Sequence, residues 1–419
     1  MKSIKNILLI LAMLFFTSGD LKPYPIDGYT LTGIKRLLRL QLILEGKIID
    51  QKPISGALKL LKDIKLNLAC PRGDSLAVIP SANPEFQNSI NKLFPNLDES
   101  YAISVLEITS GKKIRYAQRQ QNRGFMPGSI GKLAILAGLF SELEQLYPDS
   151  FEDRQQLLKN TFVKAGKWAI TNIHSVPFFN PENNQFFKRT VQNEDVFSLY
   201  EWVDHMISVS SNAAASIVWR EAVLIRAFKN RYPVSEETAK DYFNKTSKSE
   251  LTKIAISVVN DPLRTMKITE DEWRLGSLFT SEAKKIIPGS GGSIATPGGL
   301  MKYLIAMERG KIVDEKTSLE IKRFLYMTDK RIRYASTSAL TNAAVYFKSG
   351  SFYKCKNEEG FVCEKYCGNV ENFMNSVVIV EHPDGTTYFV TLMSNVLRKN
   401  SNTDHMYLAS QIDKIIRKN

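Results

Sequence analysis

Strand-forming segments occupy the two ends of a longer helical region in this 419-residue chain, and this division restricts the fold more than any other feature. The β-rich runs cover residues 102–108, 113–118, 344–348, 376–381 and 387–393. Turn signals at Ser110-Gly111-Lys112 and Asp384-Gly385 join two pairs of them into hairpins. Residues 151–283 are mainly helical in pattern, and a last helix is predicted at 404–416. The order predicts an α+β fold, with one antiparallel sheet built from both ends of this region and a helical subdomain.

The residues before this region predict export and an N-terminal extension. Two lysines, a short apolar run and three small residues form a signal-peptide pattern over residues 1–19. The apolar run is shorter than the roughly 20 residues of a membrane-spanning helix, although an uncleaved anchor stays open. We therefore expect an exported protein, periplasmic or extracellular. Residues 20–100 are predicted to be an extension with two helices, capped by Thr32 and Ser55, and residues 101–419 to be the main domain.

The charge and the motif content narrow the classes of partner. A formal net charge of +13 would attract an exported chain to anionic cell-wall polymers or lipid headgroups, or it reflects only a lysine-rich surface. Zinc-finger spacings and basic stripes interleaved with aromatic residues are absent from the sequence, so no nucleic-acid partner is predicted. No motif predicts a cofactor, a metal ion or an obligate protein partner.

Three of the four cysteines lie in one short segment near the C-terminal end. These are Cys355, Cys363 and Cys367, whereas Cys70 lies far away in the sequence. In an oxidising compartment we expect at least one disulfide between two of the three. A metal site is the alternative, but the segment contains no histidine.

Ser129 is the first residue with a chemical interpretation. It stands where Pro127-Gly128 gives way to an apolar helix predicted at 130–146, and Lys132 follows three residues later. This spacing places both side chains on one helix face. A serine hydroxyl is a weak nucleophile until a base removes its proton, and a desolvated lysine near another cation has a suitably lowered pKa. Because Ser-x-x-Lys also begins at Ser110, Ser281 and Ser351, the motif alone equally fits a capping serine beside a surface lysine.

Two later segments offer complementary groups. Ser210-Ser211-Asn212 supplies a second hydroxyl that can relay a proton and a carboxamide that can hold a substrate amide. The same residues also fit a helix N-cap. Lys348-Ser349-Gly350 follows a β-rich run and supplies a cation and a hydroxyl for a substrate carboxylate, with the next backbone N–H available to an oxyanion. Those residues also fit a strand that ends in a turn.

In this order, the three segments resemble the Ser-x-x-Lys, Ser-Asp-Asn and Lys-Thr-Gly motifs of class A β-lactamases and penicillin-binding proteins. The hairpin before Ser129, the helix start at Thr296-Pro297, and the final strands and helix also lie where that family has them. The resemblance covers roughly residues 101–419. It implies a β-lactamase/transpeptidase-like fold and a serine hydrolase that cleaves amide bonds in β-lactam or peptidoglycan-like substrates.

The resemblance also implies a role for each motif residue. Ser129 attacks the carbonyl carbon and forms an acyl-enzyme, Lys132 shuttles its proton, and Ser210 helps to protonate the leaving nitrogen. Asn212 contacts the side-chain amide of the substrate. The substrate-binding residues of the third segment are Lys348, Ser349, Gly350 and Ser351. The N–H groups of Ser129 and Ser351 form the oxyanion hole.

The sequence departs from the family pattern at three places. Ser211 stands where the family has Asp, and Ser349 stands where it has Thr. The third place is the loop before Thr296, where the family has a Glu that activates the deacylating water. Glu272, directly before Trp273, is the candidate for this catalytic role, although it also fits a solvated acidic helix start.

Two other functions would use the same residues. A DD-peptidase-like enzyme of peptidoglycan acyl transfer needs the acylation residues but not the water site. A non-catalytic, cell-wall-binding member of the fold would have an unreactive Ser129. A Ser-His-Asp hydrolase is not predicted, because no Gly-x-Ser-x-Gly elbow lies between a strand and a helix.

Overall fold

The structure is a computed structural model that describes residues 24–94, 100–170, 174–328 and 331–418. Within these ranges the strands are β1 Tyr101–Glu107, β2 Arg115–Arg119, β3 Phe162–Lys164, β4 Ser175–Asn180, β5 Gln185–Thr190, β6 Val196–Ser198, β7 Trp273–Arg274, β8 Ile294–Ala295, β9 Ala344–Lys354, β10 Glu371–Glu381 and β11 Thr387–Asn395. The α-helices are α1 Tyr29–Thr32, α2 Lys35–Leu44, α3 Pro71–Asp74, α4 Pro84–Asn91, α5 Lys132–Leu146, α6 Phe151–Asn160, α7 Leu199–Ile207, α8 Asn212–Phe228, α9 Glu236–Lys245, α10 Lys248–Thr265, α11 Ser281–Ile286, α12 Pro297–Glu308, α13 Glu315–Leu325 and α14 Asn402–Arg417. The predicted signal peptide lies outside the described residues. None of the helices in these ranges has the length and apolar content needed to span a membrane.

One antiparallel sheet with the strand order β2-β1-β11-β10-β9 joins the two ends of the main region. Val105 on β1 is paired with Val390 on β11, although the two residues are far apart in the sequence. The sheet confirms the predicted α+β plan. β9 and β10 are longer than predicted, with 11 residues each. Their pairing continues through segments that contain polar residues, such as Ser349 and Asn375, because backbone hydrogen bonds to a partner strand do not require apolar side chains.

Helix α5 forms the centre of the helical layer. All residues from 131 to 140 are buried, as expected of a helix that is apolar on every side. Helix α10 approaches it closely at Gly138, where an added Cβ would lie 2.6 Å from the carbonyl oxygen of Val258. Lys132, the first residue of α5, is buried as well.

The N-terminal segment folds differently from its predicted two helices. Thr32 does not cap a helix but is the last residue of α1, and its hydroxyl donates to the carbonyl oxygen of Gly28. Helix α2 begins only at Lys35. The apolar spacing therefore predicts this helix correctly, but the helix begins later than the predicted cap at Thr32 requires.

The second predicted helix of this segment is wrong. Ser55 begins only the short 3₁₀ turn Ser55–Ala57. The backbone N–H of Lys59 donates to the hydroxyl of Tyr326, and that of Leu61 donates to a carboxylate oxygen of Asp27. Because distant side chains take these backbone donors, a continuous helix does not form here.

Short strands interrupt the predicted helical middle. β3 pairs with β6, β4 pairs with β5, and β7 pairs with β8. In the β4–β5 hairpin the rings of Phe178 and Phe187 stack across the strands with centroids 5.1 Å apart. Strands of two to six residues leave too little periodicity for a sequence pattern to separate them from loops.

The connection between β9 and β10 contains a disulfide between Cys355 and Cys363. This confirms the predicted pairing of two among the three clustered cysteines. Cys70 and Cys367 are free thiols.

A buried ion cluster connects the N-terminal segment to the main region. The ammonium of Lys322 on α13 lies 2.6 Å from the Glu308 carboxylate and 2.7 Å from that of Glu381. Lys59 also pairs with Glu381, and the N–H of Asn67 donates to Glu308. Through the carboxylates of Glu308 and Glu381, the Lys322 ammonium therefore connects the main region to Lys59 and Asn67 of the N-terminal segment.

Replacing Lys322 by Met should therefore destabilise the protein strongly. The substitution leaves two buried carboxylates without their central cation, and breaking a buried pair costs roughly 3–5 kcal/mol. Chemical denaturation measures the free energy of unfolding. Lys316→Met is the control, because Lys316 and its partner Glu152 are both exposed, and it should leave the free energy almost unchanged. Equal effects of the two substitutions would contradict a central role of Lys322.

Candidate active site

Ser129 lies in a tight turn that leads directly into the buried helix α5. The 3₁₀ helix Gly128–Gly131 begins with Gly128 at a φ of +54°, a conformation that favours glycine. Lys132 follows as the first residue of α5. Its Nζ lies 2.9 Å from Oγ of Ser129, so the i,i+3 spacing brings the two groups into hydrogen-bond distance.

The second motif lies in the connection between α7 and α8. Ser210 has a φ of +60°, which is uncommon for a residue other than glycine. Its carbonyl oxygen lies 2.5 Å and its Oγ 3.4 Å from Nζ of Lys132. Oδ1 of Asn212 lies 2.8 Å from the same Nζ. Ser211, which stands where the family has Asp, caps α8 by accepting the N–H of Ala214, so the capping interpretation is confirmed for this residue.

The third motif lies within β9 and not at its end. Nζ of Lys348 is 2.8 Å from Oγ of Ser210, and it donates to the carbonyl oxygen of Ser349 at 3.1 Å. A continuous path of short contacts therefore runs from Ser129 through Lys132 and Ser210 to Lys348. The structure brings together residues from α5, the α7–α8 connection and β9.

Gly350 allows the turn that carries Ser129 to lie against β9. A Cβ at position 350 would collide with the carbonyl oxygen of Pro127 and lie 3.1 Å from the backbone nitrogen of Ser129. The side chain of Asn375 on β10 stabilises the same turn by donating a hydrogen bond to the carbonyl oxygen of Pro127. The backbone of Ser351 packs against Gly128, so the two backbone N–H groups assigned to an oxyanion hole belong to adjoining segments.

The site is electropositive and largely desolvated. Burial and the nearby Lys348 cation lower the pKa of Lys132 well below its ordinary value. Burial, and then the guanidinium of Arg333, lower the pKa of Lys348 to about 7. A lysine with such a depressed pKa can lose its proton near neutral pH and act as a base.

Three neighbouring residues were not found from the sequence. Arg333, with a φ of +52°, donates to the carbonyl oxygen of Gly350. Burial and the cations of Lys132 and Lys348 lower the pKa of His174 to about 3, so its imidazole is neutral. Phe279 places its ring centroid 4.9 Å from Nζ of Lys132. None of them belongs to a motif, and only the tertiary fold brings them to the site.

The contacts of Glu272 do not support its predicted role as a base. Its two carboxylate oxygens lie 2.6 Å and 2.8 Å from Nζ of Lys302 on α12, and one of them accepts the N–H of Thr269. Its described contacts include neither Ser129 nor Lys132. The loop in which a deacylating carboxylate was expected instead presents Phe279 to Lys132.

Comparisons with known proteins agree on one family and one fold. A sequence model of the Beta-lactamase enzyme family matches residues 85–418. Similar solved structures include a mutant of PBP-A in an acyl-enzyme complex with penicillin G, with a TM-score of 0.50, 11% identity, and coverage of 81% of this chain and 100% of that one. TLA-3 extended-spectrum β-lactamase has a TM-score of 0.50, 12% identity and coverages of 80% and 98%. A class A β-lactamase representative from Bacteroides cellulosilyticus has a TM-score of 0.50, 13% identity and coverages of 80% and 97%.

At identities of 11–13%, these structural matches show similarity of fold alone. They confirm the predicted β-lactamase/transpeptidase-like fold. A search of curated protein sequences gives no match.

The Lys348 ammonium should titrate with a midpoint near pH 7, and Arg333→Gln should raise this midpoint, because the removed guanidinium no longer repels the ammonium. NMR of isotope-labelled lysine side chains, with Lys348→Arg to assign the signal, measures the titration. In urea-unfolded protein the midpoint should return to about 10.4. A folded-state midpoint near 10, unaffected by Arg333→Gln, would contradict the coupling.

Proposed function

The chain belongs to the beta-lactamase enzyme family, and we propose that it is an exported serine hydrolase that forms an acyl-enzyme at Ser129 with β-lactams or related amides. The observation that carries the proposal is the path of short contacts from Ser129 through Lys132 and Ser210 to Lys348. This path connects a nucleophile, a base, a hydroxyl relay and a cation. The substrate is a β-lactam or a peptidoglycan-like peptide, and no nucleic acid, metal, cofactor or obligate protein partner is proposed.

In the acylation step, the neutral amine of Lys132 takes the proton of Ser129 as Oγ attacks the carbonyl carbon. The carbonyl oxygen becomes an oxyanion that accepts hydrogen bonds from the N–H groups of Ser129 and Ser351. The proton then passes through the Ser210 hydroxyl to the leaving nitrogen as the C–N bond breaks. Beside this path, Asn212 binds the side-chain amide of the substrate.

Substrate binding relies on charge. The Lys348 ammonium and the Ser349 hydroxyl bind the carboxylate that β-lactams and peptide C-termini carry. Gly350 allows the turn that carries Ser129 to lie against β9 next to these two residues. A bound carboxylate favours the protonated form of Lys348, so substrate itself raises the fraction of the ammonium.

Export is proposed on the sequence pattern of residues 1–19. The expected location is periplasmic or extracellular. The disulfide between Cys355 and Cys363 is compatible with an oxidising compartment.

A second candidate function is a DD-peptidase-like acyl transfer, or stable penicillin binding. Two observations favour it, because the carboxylate of Glu272 is held by Lys302 and the ring of Phe279 lies beside Lys132. An apolar ring at this place cannot activate a water molecule. Both candidate functions share the acylation step and differ in the fate of the acyl-enzyme.

Ser129→Ala should abolish covalent labelling by a fluorescent penicillin, because the Ser129 hydroxyl, which lies 2.9 Å from Nζ of Lys132 at the start of α5, is the proposed nucleophile. Intact-protein mass spectrometry should show one adduct on the unmodified chain. Ser110→Ala is the matched control, since Ser110 also precedes a lysine by three residues but lies exposed in a turn. Labelling that persists in Ser129→Ala would overturn the assignment, and an unlabelled wild-type chain would favour the non-catalytic function.

Turnover of a chromogenic cephalosporin should show a burst near one equivalent and then a slow steady state. A positioned general base accelerates a step by roughly 10²–10⁴-fold, so a missing base allows the acyl-enzyme to accumulate. Phe279→Glu should raise the steady-state rate at least about tenfold, whereas the uncharged Phe279→Gln should not. Glu272→Gln should leave the rate unchanged. A burst-free turnover that collapses in Glu272→Gln would instead assign the base to Glu272.

A further inference from the structure

Basic side chains at the site have no acidic partners. Lys132, Lys348 and Arg333 are buried, and the ion pairs in the described part of the chain include none of them. Of the other buried cations, Arg36 pairs with Asp204 at 2.5 Å, whereas Arg331 donates to backbone carbonyl oxygens. Burial of a cation without a partner is unfavourable, so this arrangement favours a ligand that brings negative charge. One substrate carboxylate at Lys348 is already part of the proposed function.

A further lysine reaches the site from the connection between β9 and β10, residues 355–370, which we call the insertion. The ring centroid of Tyr366 lies 5.1 Å from Cζ of Arg333 and 5.2 Å from Nζ of Lys365. Arg333 in turn donates to Gly350, whose backbone adjoins Ser129. The positive charge of Lys365 also contributes to the lowered pKa of His174, together with the charges of Lys132 and Lys348. Lys365 therefore lies at the edge of the same site.

The backbone of the insertion is held in a defined conformation. Tyr366 has a φ of +66°, which is uncommon for a bulky residue and persists only where the surroundings impose it. The N–H of Cys367 donates to the carbonyl oxygen of Glu364 at 3.1 Å and closes the turn that contains Tyr366. The disulfide between Cys355 and Cys363 closes the preceding part of the insertion.

The charge of Lys365 is available to a ligand. Its side chain is exposed and has no ion pair among the described residues. Of the three acidic residues in the insertion, Glu358 is bound to Arg398 at 2.8 Å and to the amide of Asn369, whereas Glu359 and Glu364 are exposed and have no ion pair among the described residues. A lysine at the edge of an electropositive site adds attraction for an anionic group and increases the rate of association.

We propose that Lys365 and Tyr366 form a second anion subsite, so that the preferred substrate is an amide with two anionic groups. One group is the carboxylate that Lys348 and Ser349 bind, and the second is bound by Lys365 at the edge of the site. This inference rests on the proposed function, because it extends the substrate of the same site. The insertion would then be the element that selects among otherwise similar amides.

Two penicillins that differ by one carboxylate test the proposal. Benzylpenicillin has an uncharged acyl side chain, and carbenicillin has the same side chain with an added carboxylate. In the wild-type chain the second-order acylation rate should favour carbenicillin, and high salt should reduce that preference. Lys365→Gln should lower the carbenicillin rate roughly 2- to 5-fold, as expected of an exposed charge pair, and leave the benzylpenicillin rate unchanged. Lys365→Glu should lower the carbenicillin rate further.

Lys356→Gln is the matched control, because Lys356 is an exposed lysine of the same insertion, whereas the cations described over the Tyr366 ring are Arg333 and Lys365. It should change neither rate. The double variant Cys355→Ser/Cys363→Ser should lose the preference for carbenicillin while it keeps acylation by benzylpenicillin. Equal loss for both penicillins in Lys365→Gln, or no loss for either, would overturn the subsite.

A binding measurement separates this proposal from the proposed function. The Ser129→Ala variant cannot be acylated, and its melting temperature in the presence of each penicillin reports non-covalent binding. Carbenicillin should stabilise it more than benzylpenicillin does, and Lys365→Gln in this background should remove the difference. If the wild-type chain is not acylated but this difference is present, the proposed function fails and the subsite stands. If no difference is present, the subsite is wrong, whatever the acylation result.

Discussion

The contact between the turn at Ser129 and the backbone of β9 is the constraint on which the site depends. Because Gly350 has no side chain, the two backbones meet without a gap, and any Cβ at this position would push the turn away. The turn belongs to the buried helix α5, and β9 belongs to the sheet, so this contact fixes the helical layer relative to the sheet. Lys132 and Lys348 enter the space between the layers from opposite sides, and Ser210 connects them.

The sequence predicts those features of the site and fold that depend on residues a few positions apart, and it does not predict the site residues that only tertiary contacts bring together. Ser129 and Lys132 are three residues apart, so helical geometry alone puts them together, and Thr296 caps α12 as its Thr-Pro signal indicates. Arg333 and Phe279 reach the site through loops that carry no motif. The helix predicted to begin at Ser55 does not form, because distant side chains accept hydrogen bonds from the backbone N–H groups that follow Ser55.

Two groups of buried lysines differ in whether carboxylates neutralise their charge. Lys322 lies between the carboxylates of Glu308 and Glu381, and burial is offset by short ion pairs on both sides. Lys132 and Lys348 have oxygen neighbours but no carboxylate among the ion pairs of the described residues, and burial, together with a nearby cation in each case, lowers their pKa values. In the paired cluster, the removal of one partner would leave an uncompensated buried charge. An unpaired amine in a desolvated place is less stable but can change its protonation state, as proton transfer requires.

The N-terminal segment acts on the site through helix α7. The guanidinium of Arg36 on α2 binds both carboxylate oxygens of Asp204 near the end of α7. The backbone carbonyl of Asp204 accepts the N–H of Ser208, and that of His205 accepts the N–H of Ser211. The last turn of α7 therefore positions the connection that holds Ser210 in its left-handed conformation. Because the strained residue is the one that touches both lysines, a segment outside the three motifs still determines where the proposed proton relay lies.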